Sequence, residues 1–248
     1  MKTFRIPFAF CWLFFFGASQ LSAQDNSSWR IGFRIEPMIS WTKSDSKNLN
    51  TGTAKPDFSF GVIVDRSLSQ KLSLNGGVSM AYLNPTFTIK NAFLKTPATG
   101  SSISPITNSV LSYNLRSLDF NLVLQSFTQP HNGIRYMGEV GLLSGFLIRS
   151  KFDFNSDKFD VENGDAGSPE AQDKIELFED INGGTPLQYD VNTLRFQGIL
   201  GLGLKKRVME DSDIQASLRY NFALRSFADE SKWKINHNYI SLQLGFIF

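Results

Sequence analysis

The segment Tyr239-Ile-Ser-Leu-Gln-Leu-Gly-Phe-Ile-Phe248 decides the architecture. A β-strand turns successive side chains to opposite faces, so residues two apart share a face. Ile240, Leu242, Leu244, Phe246 and Phe248 make one face wholly apolar. Tyr239, Ser241, Gln243 and Gly245 make the other face small or polar.

The same period recurs upstream in seven further segments. They are Trp29–Trp41, Asp57–Arg66, Lys71 to about Phe93, about Val110–Phe127, Gly133–Phe154, about Tyr189–Arg207 and Ser212–Phe227, with the last strand from about Lys232 to Phe248. The seventh is the clearest: Ile214, Ala216, Leu218, Tyr220, Phe222 and Leu224 oppose Gln215, Ser217, Arg219, Asn221 and Arg225. The fourth changes apolar parity near Arg116-Ser117, which predicts a bulge or strand continuing above a bilayer. Connections alternate in length. Ser67–Gln70, Thr128–His131 and Met209–Asp211 are short, whereas Thr42–Pro56, Leu94–Ser109 and Asn155–Gln188 are long. Short turns on the periplasmic side and long loops outside are the habit of bacterial membrane barrels. Only Ala228–Ser231 is shorter than an outer loop should be.

A soluble sandwich would bury the apolar face, whereas a membrane barrel turns it to lipid and encloses the polar one. The polar face here holds glycine, serine and charge. Glu36, Asp119 and Glu139 fall near mid-height, with Arg34, Arg195 and Arg219 as partners and small residues making room for the long arginines. An eight-stranded barrel is just wide enough to be filled by side chains. Single buried charges cost several kcal/mol, so these must pair. The expectation is an all-β, eight-stranded antiparallel up-and-down transmembrane barrel with a plugged lumen. Trp29 and Trp41, about 12 residues apart, suit the two interfaces of a strand that needs roughly 9–11 residues to cross.

The start of the chain fits export. Lys2 and Arg5 precede the apolar run Ile6–Ala18, and Ser19-Gln-Leu-Ser-Ala23 offers small residues for cleavage after Ala23. The run is about 13 residues, short of the roughly 20 a spanning helix needs. Residues 1–23 read as a cleaved signal peptide and 24–248 as one domain. Cys11, inside the apolar run, is the single cysteine, so no disulfide or thiolate chemistry is expected beyond it. Lys2 and Arg5 leave with the leader, so 25 basic residues fall to 23 against 23 acidic ones. That balance offers no field for nucleic acid. The slightly negative mean hydropathy excludes a helical membrane bundle but not a barrel.

An export start joined to a strand closing on an aromatic resembles the C-terminal strand by which bacterial outer-membrane barrels are recognised for insertion. Tyr239, Gly245, Phe246 and Phe248 would carry that signal. From Ile31 onward the chain resembles the Bacteroidetes outer-membrane β-barrel family called PorT-like or porin-family. The matching stretches are Ile31–Trp41, Leu72–Leu83, Ser117–Leu124 and Asn238–Phe248, and Asn121 stands where the family usually has proline. The resemblance implies an integral outer-membrane protein in contact with lipid and, during insertion, with the barrel-assembly machinery. It also implies a link to protein secretion. The expected role is that of a structural, docking or binding protein acting through its long outer loops, with a secretion-system or surface partner. The alternatives are a small solute channel and a lipid-modifying enzyme.

Candidate chemistry is sparse, and the expectation is a non-enzyme without cofactor or metal. His131 sits beside Pro130 in a short turn. His237 shares the lumen face with Tyr239 and Ser241, with no dedicated carboxylate evident beside them. The long fifth connection carries nine Asp or Glu between Asp157 and Asp180 against Lys158 and Lys174. It reads as a solvated loop rather than a calcium site. Ser168-Pro169-Glu170 suggests a short helix over 169–181. Lys205-Lys-Arg207, the one basic run, reads as a solvated strand end.

Overall fold

A computed structural model describes residues 29–44, 49–95, 103–155, 160–165, 176–178, 192–209, 211–226, 228–230 and 233–248. The expected signal peptide and most of the acidic fifth connection lie outside them. The described residues form thirteen strands: β1 (Trp29–Ser44), β2 (Leu49–Thr51), β3 (Lys55–Ser67), β4 (Leu72–Leu83), β5 (Thr86–Lys95), β6 (Ile103–Phe127), β7 (Ile134–Asn155), β8 (Asp160–Asp165), β9 (Glu176–Phe178), β10 (Leu194–Arg207), β11 (Asp213–Ala223), β12 (Ala228–Glu230) and β13 (Trp233–Ile247).

Eight of these are staves of a closed antiparallel barrel, in the order β1-β3-β4-β6-β7-β10-β11-β13. The ring closes because β13 pairs with both β11 and β1. Phe248 and Ile31 exchange backbone bonds of 2.8 and 3.1 Å at the seam. Closure leaves no stave with a free edge, which a lipid-immersed sheet requires.

Side chains sort by parity as the alternation predicts. Phe33, Leu142, Leu202 and Leu218 stand outward, with Leu202 75% exposed, while Arg34, Glu139, Arg195 and Arg219 are buried. Hydrocarbon, not a packed interior, is the medium that matches such an outer face. Trp29 stands outward at the short-turn end. Trp41 stacks on outward Tyr220 at 6.2 Å toward the other end.

Several elements differ from the sequence reading. The third segment is not one strand: it breaks at Asn84-Pro85 into β4 and β5. Proline has no N–H to give a ladder, and Asp57 Oδ1 caps the break by accepting from the Asn84 backbone at 2.8 Å and side chain at 3.1 Å. The expected loop Leu94–Ser109 is largely strand, because β5 and β6 pair from Thr86↔Ser112 to Lys95↔Ile103. Asp160, Glu162 and Asp165 lie in β8, paired with β7, not in an open loop. Residues 176–178, expected as helix, form β9 on β5. The β6–β7 turn peaks at Asn132 and Gly133, with φ of 50° and 76°. These are the left-handed angles that an Asn-Gly hairpin supplies, so Gly133 belongs to the turn.

The parity change near Arg116-Ser117 is not a bulge in β6. The β6–β7 register shifts there, with Arg116 opposite Arg149 and Ser117 opposite Leu147. The extra residue is Ile148, so the bulge sits on β7. Along β6 inward positions continue unbroken, and above Ser117 they become apolar: Leu111, Tyr113 and Leu115 are buried. Arg149, which counting by two from Glu139 would put on the lumen face, is carried outward by the bulge.

Candidate functional site: a lumen built on arginine-over-glycine rows

The lumen is organised in rows running around the ring at one hydrogen-bond register. In one row Asp119 of β6, Gly145 of β7 and Arg195 of β10 are successive partners. Next-nearest strands lie about 9.5 Å apart, a gap that an arginine spans over a residue without a side chain. Arg195 Nη2 reaches over Gly145 to both Asp119 oxygens at 2.9 and 3.0 Å. A Cβ on Gly145 would come within 2.5 Å of Asp119 Oδ1 and 3.0 Å of Arg195 Nε. Only glycine fits beneath this pair.

The device repeats. Glu139 of β7, Gly201 of β10 and Arg219 of β11 are register partners. Arg219 grips Glu139 through Nε at 2.7 Å and Nη2 at 2.9 Å, and Gln125 Nε2 donates to the same carboxylate at 2.7 Å. A Cβ on Gly201 would stand 2.7 Å from Glu139 Oε2. Arg34 of β1 likewise crosses Gly61 of β3 to Ser79 of β4, donating to its Oγ at 2.7 Å. Glu36 accepts from Ser241 Oγ at 2.6 Å. Of the lumen charges named from sequence, Asp119 pairs with Arg195 and Glu139 with Arg219. Arg34 and Glu36 take hydroxyl partners.

Sequence reasoning missed a second charged layer at the short-turn end. Lys205, expected as a solvated strand end, is buried and crosses to Asp65 at 2.8 Å. Arg30 bridges Asp65 at 2.7 Å and Asp213 at 2.6 Å. The signal was present: Lys205 keeps the inward parity of Arg195 and Gln197. Only Lys206 and Arg207 are exposed, and Arg207 reaches Asp213 at 3.6 Å.

A further miss lies around His237. Carboxylates do stand near the inward His237, Tyr239 and Ser241. Asp57 Oδ2 is 3.9 Å from His237 Nε2, and Glu36 binds Ser241. Arg195 Nη1 lies 3.5 Å from His237 Nδ1. His237 and Ser241 are four residues apart on one strand, about 13 Å along it. That is far beyond the hydrogen-bond reach a nucleophile–base pair needs. His131 sits in the turn, bridged to Ile134.

At the long-loop end the lumen turns apolar. Leu83, Phe87, Leu111, Tyr113 and Leu115 are buried, and the Phe87 and Tyr113 rings meet at 5.7 Å.

A closed barrel with an apolar outer belt and ionic rows inside matches a known family model. The outer membrane protein beta-barrel domain covers residues 18–229. The chain belongs to that family. As an outer membrane β-barrel protein it resides in the outer membrane, where the apolar belt meets lipid. Similar solved structures include Ail, the attachment invasion locus protein of Yersinia pestis, at 11% identity and TM-score 0.37, covering 88% of this chain and 98% of that one. The Escherichia coli outer membrane protease OmpT aligns at 7% identity and TM-score 0.44, over 91% and 99%. A major outer membrane protein from Thermus thermophilus aligns at 10% identity and TM-score 0.40, over 89% and 100%. No curated protein matches this barrel.

Proposed function

We propose that this barrel is a non-conducting, non-catalytic outer-membrane anchor that presents an ordered platform for docking. The observation that carries the reading is strand length. β6 has 25 residues and β7 has 22, whereas about 9–11 suffice to cross a bilayer. The surplus is paired: β2, β5, β6, β7 and β8 continue as neighbouring strands, with β9 on β5. A barrel that only had to hold itself in lipid has no need of that extension. Its recognition of the barrel-assembly machinery is assigned to the alternating strand around Tyr239, Gly245, Phe246 and Phe248.

The filled lumen favours anchoring over conduction. Two full ion pairs, the Lys205–Asp65 layer and the apolar mouth occupy the levels a solute would traverse. Purified protein in planar bilayers is expected to stay silent. Stable ohmic single-channel steps would overturn the anchor and favour the solute-channel alternative. The tie to secretion implied by the PorT-like resemblance is the finer form of the proposal. Crosslinking in intact cells should recover a secretion-machinery protein through residues of β5, β6 or β8. Recovery of lipid alone would remove the docking role.

A further inference from the structure

The bulge at Ile148 does more than bend a strand. It brings Arg149 opposite Arg116 on the outer face of the barrel, so two arginines stand as direct cross-strand register partners. Directly opposed residues hold their Cβ atoms about 5 Å apart, and like charges in that relation destabilise the sheet. Both arginines are exposed. On its other side Arg116 faces Tyr82, whose ring lies 5.5 Å from the Arg116 Cζ. Among the described residues, no carboxylate lies within ion-pair distance of either guanidinium.

The height of the pair supplies the reason. Immediately toward the short-turn end, the outward residues on these strands are Leu118, Phe120, Phe146 and Ile148, and the last three are fully in the exposed apolar belt. Immediately beyond the pair the outward residues become Asn114 and Lys151, themselves register partners. Arg116 and Arg149 therefore sit at the rim of the hydrocarbon, on the long-loop side. Tyr82 beside them is the amphipathic ring that interfaces favour. At that depth the outer leaflet presents lipid headgroups. A doubly positive, planar, multi-donor pair fits a phosphate monoester, which guanidinium groups bind bidentately.

We propose that Arg116 and Arg149 form a binding site for the phosphate of an anionic outer-leaflet glycolipid, with Tyr82 lining it at the interface. The lipid phosphate sits between the two guanidinium groups and converts a repulsive pair into a bridged one. The site lies on the outside of the barrel, so it does not depend on the docking reading.

The test compares full-length protein in phosphatidylcholine vesicles containing diphosphorylated lipid A, dephosphorylated lipid A or neither. Thermal unfolding is followed by the gel shift between folded and unfolded forms. The native barrel should gain a clear upward shift with the diphosphorylated lipid only. R116Q/R149Q should lose most of that shift while unfolding no earlier than native protein in phosphatidylcholine alone, because it also loses the repulsion. R116K/R149K should keep part of it, which separates charge recognition from misfolding. Binding to diphosphorylated lipid A should fall about tenfold in the Gln variant, or ~1.4 kcal/mol. An equal shift in native and Gln proteins would overturn the site. An equal shift from inorganic phosphate added to phosphatidylcholine vesicles would overturn the assignment to lipid.

Discussion

Removing Glu139 should expose how the lumen is held together. Its carboxylate and the Arg219 guanidinium are 0% and 1% exposed and share bonds of 2.7 and 2.9 Å. In Glu139→Ala the guanidinium stays buried without its counter-ion, a defect that costs about 3–5 kcal/mol. At 1.4 kcal/mol per decade, the unfolding equilibrium should move by about two to three and a half powers of ten. The loss comes from the orphaned charge, not from a large intrinsic worth of the pair. A second variant, Glu139→Leu with Arg219→Met, removes both charges at similar volume and should recover most of the stability. Urea unfolding in phospholipid vesicles, scored by the mobility difference between folded and heat-unfolded forms, measures both. The reasoning fails if Glu139→Ala stays within about 0.5 kcal/mol of native protein, or if the double variant is no better than the single one.

Two further predictions use the same assay. Lys205→Ala should destabilise by about 1–3 kcal/mol because Asp65 loses a buried charge-assisted bond, whereas Arg207→Ala, at a side chain 62% exposed, should change stability by less than about 0.5 kcal/mol. Leu218→Arg places a charge on the outward face opposite Leu242 and should cost about 2–4 kcal/mol in a bilayer. The same variant in detergent micelles, where the arginine reaches water more easily, should lose clearly less.

The barrel was legible because its period is local. Every inward and outward assignment on the last strand, from Tyr239 to Phe248, follows from counting by two. So did the lumen charges, since Glu139, Arg195 and Arg219 sit in unbroken alternation. The partners were not legible, because register sets them. That Arg195 crosses Gly145 to Asp119 depends on three strands aligned to the residue, and nothing local in the sequence states that alignment. Counting by two fails at Arg149 because a single bulge residue on β7 reverses parity beyond it. Lys205 was misread because its neighbours Lys206 and Arg207 made the run look like a solvated end. The outer ends of β5 and β6 were taken for a loop because Leu94–Ser109 is rich in Ser, Thr, Pro and Gly, while the apolar residues of β6 switch face at Ser117. That switch marks the passage from a lipid-facing wall to a lumen capped by its own apolar core.

Cysteines placed singly along β13 would test the arrangement most directly, since the only native cysteine, Cys11, lies in the expected leader. With spin labels at 240, 241, 242, 243 and 244 in reconstituted vesicles, collision with membrane-dissolved oxygen should be high at 240, 242 and 244. It should be suppressed at 241 and 243, which point among Glu36, Ser217 and Arg219. The opposite alternation, with labels at Leu242 and Leu244 shielded and those at Ser241 and Gln243 open, would contradict a barrel that turns its apolar face to lipid.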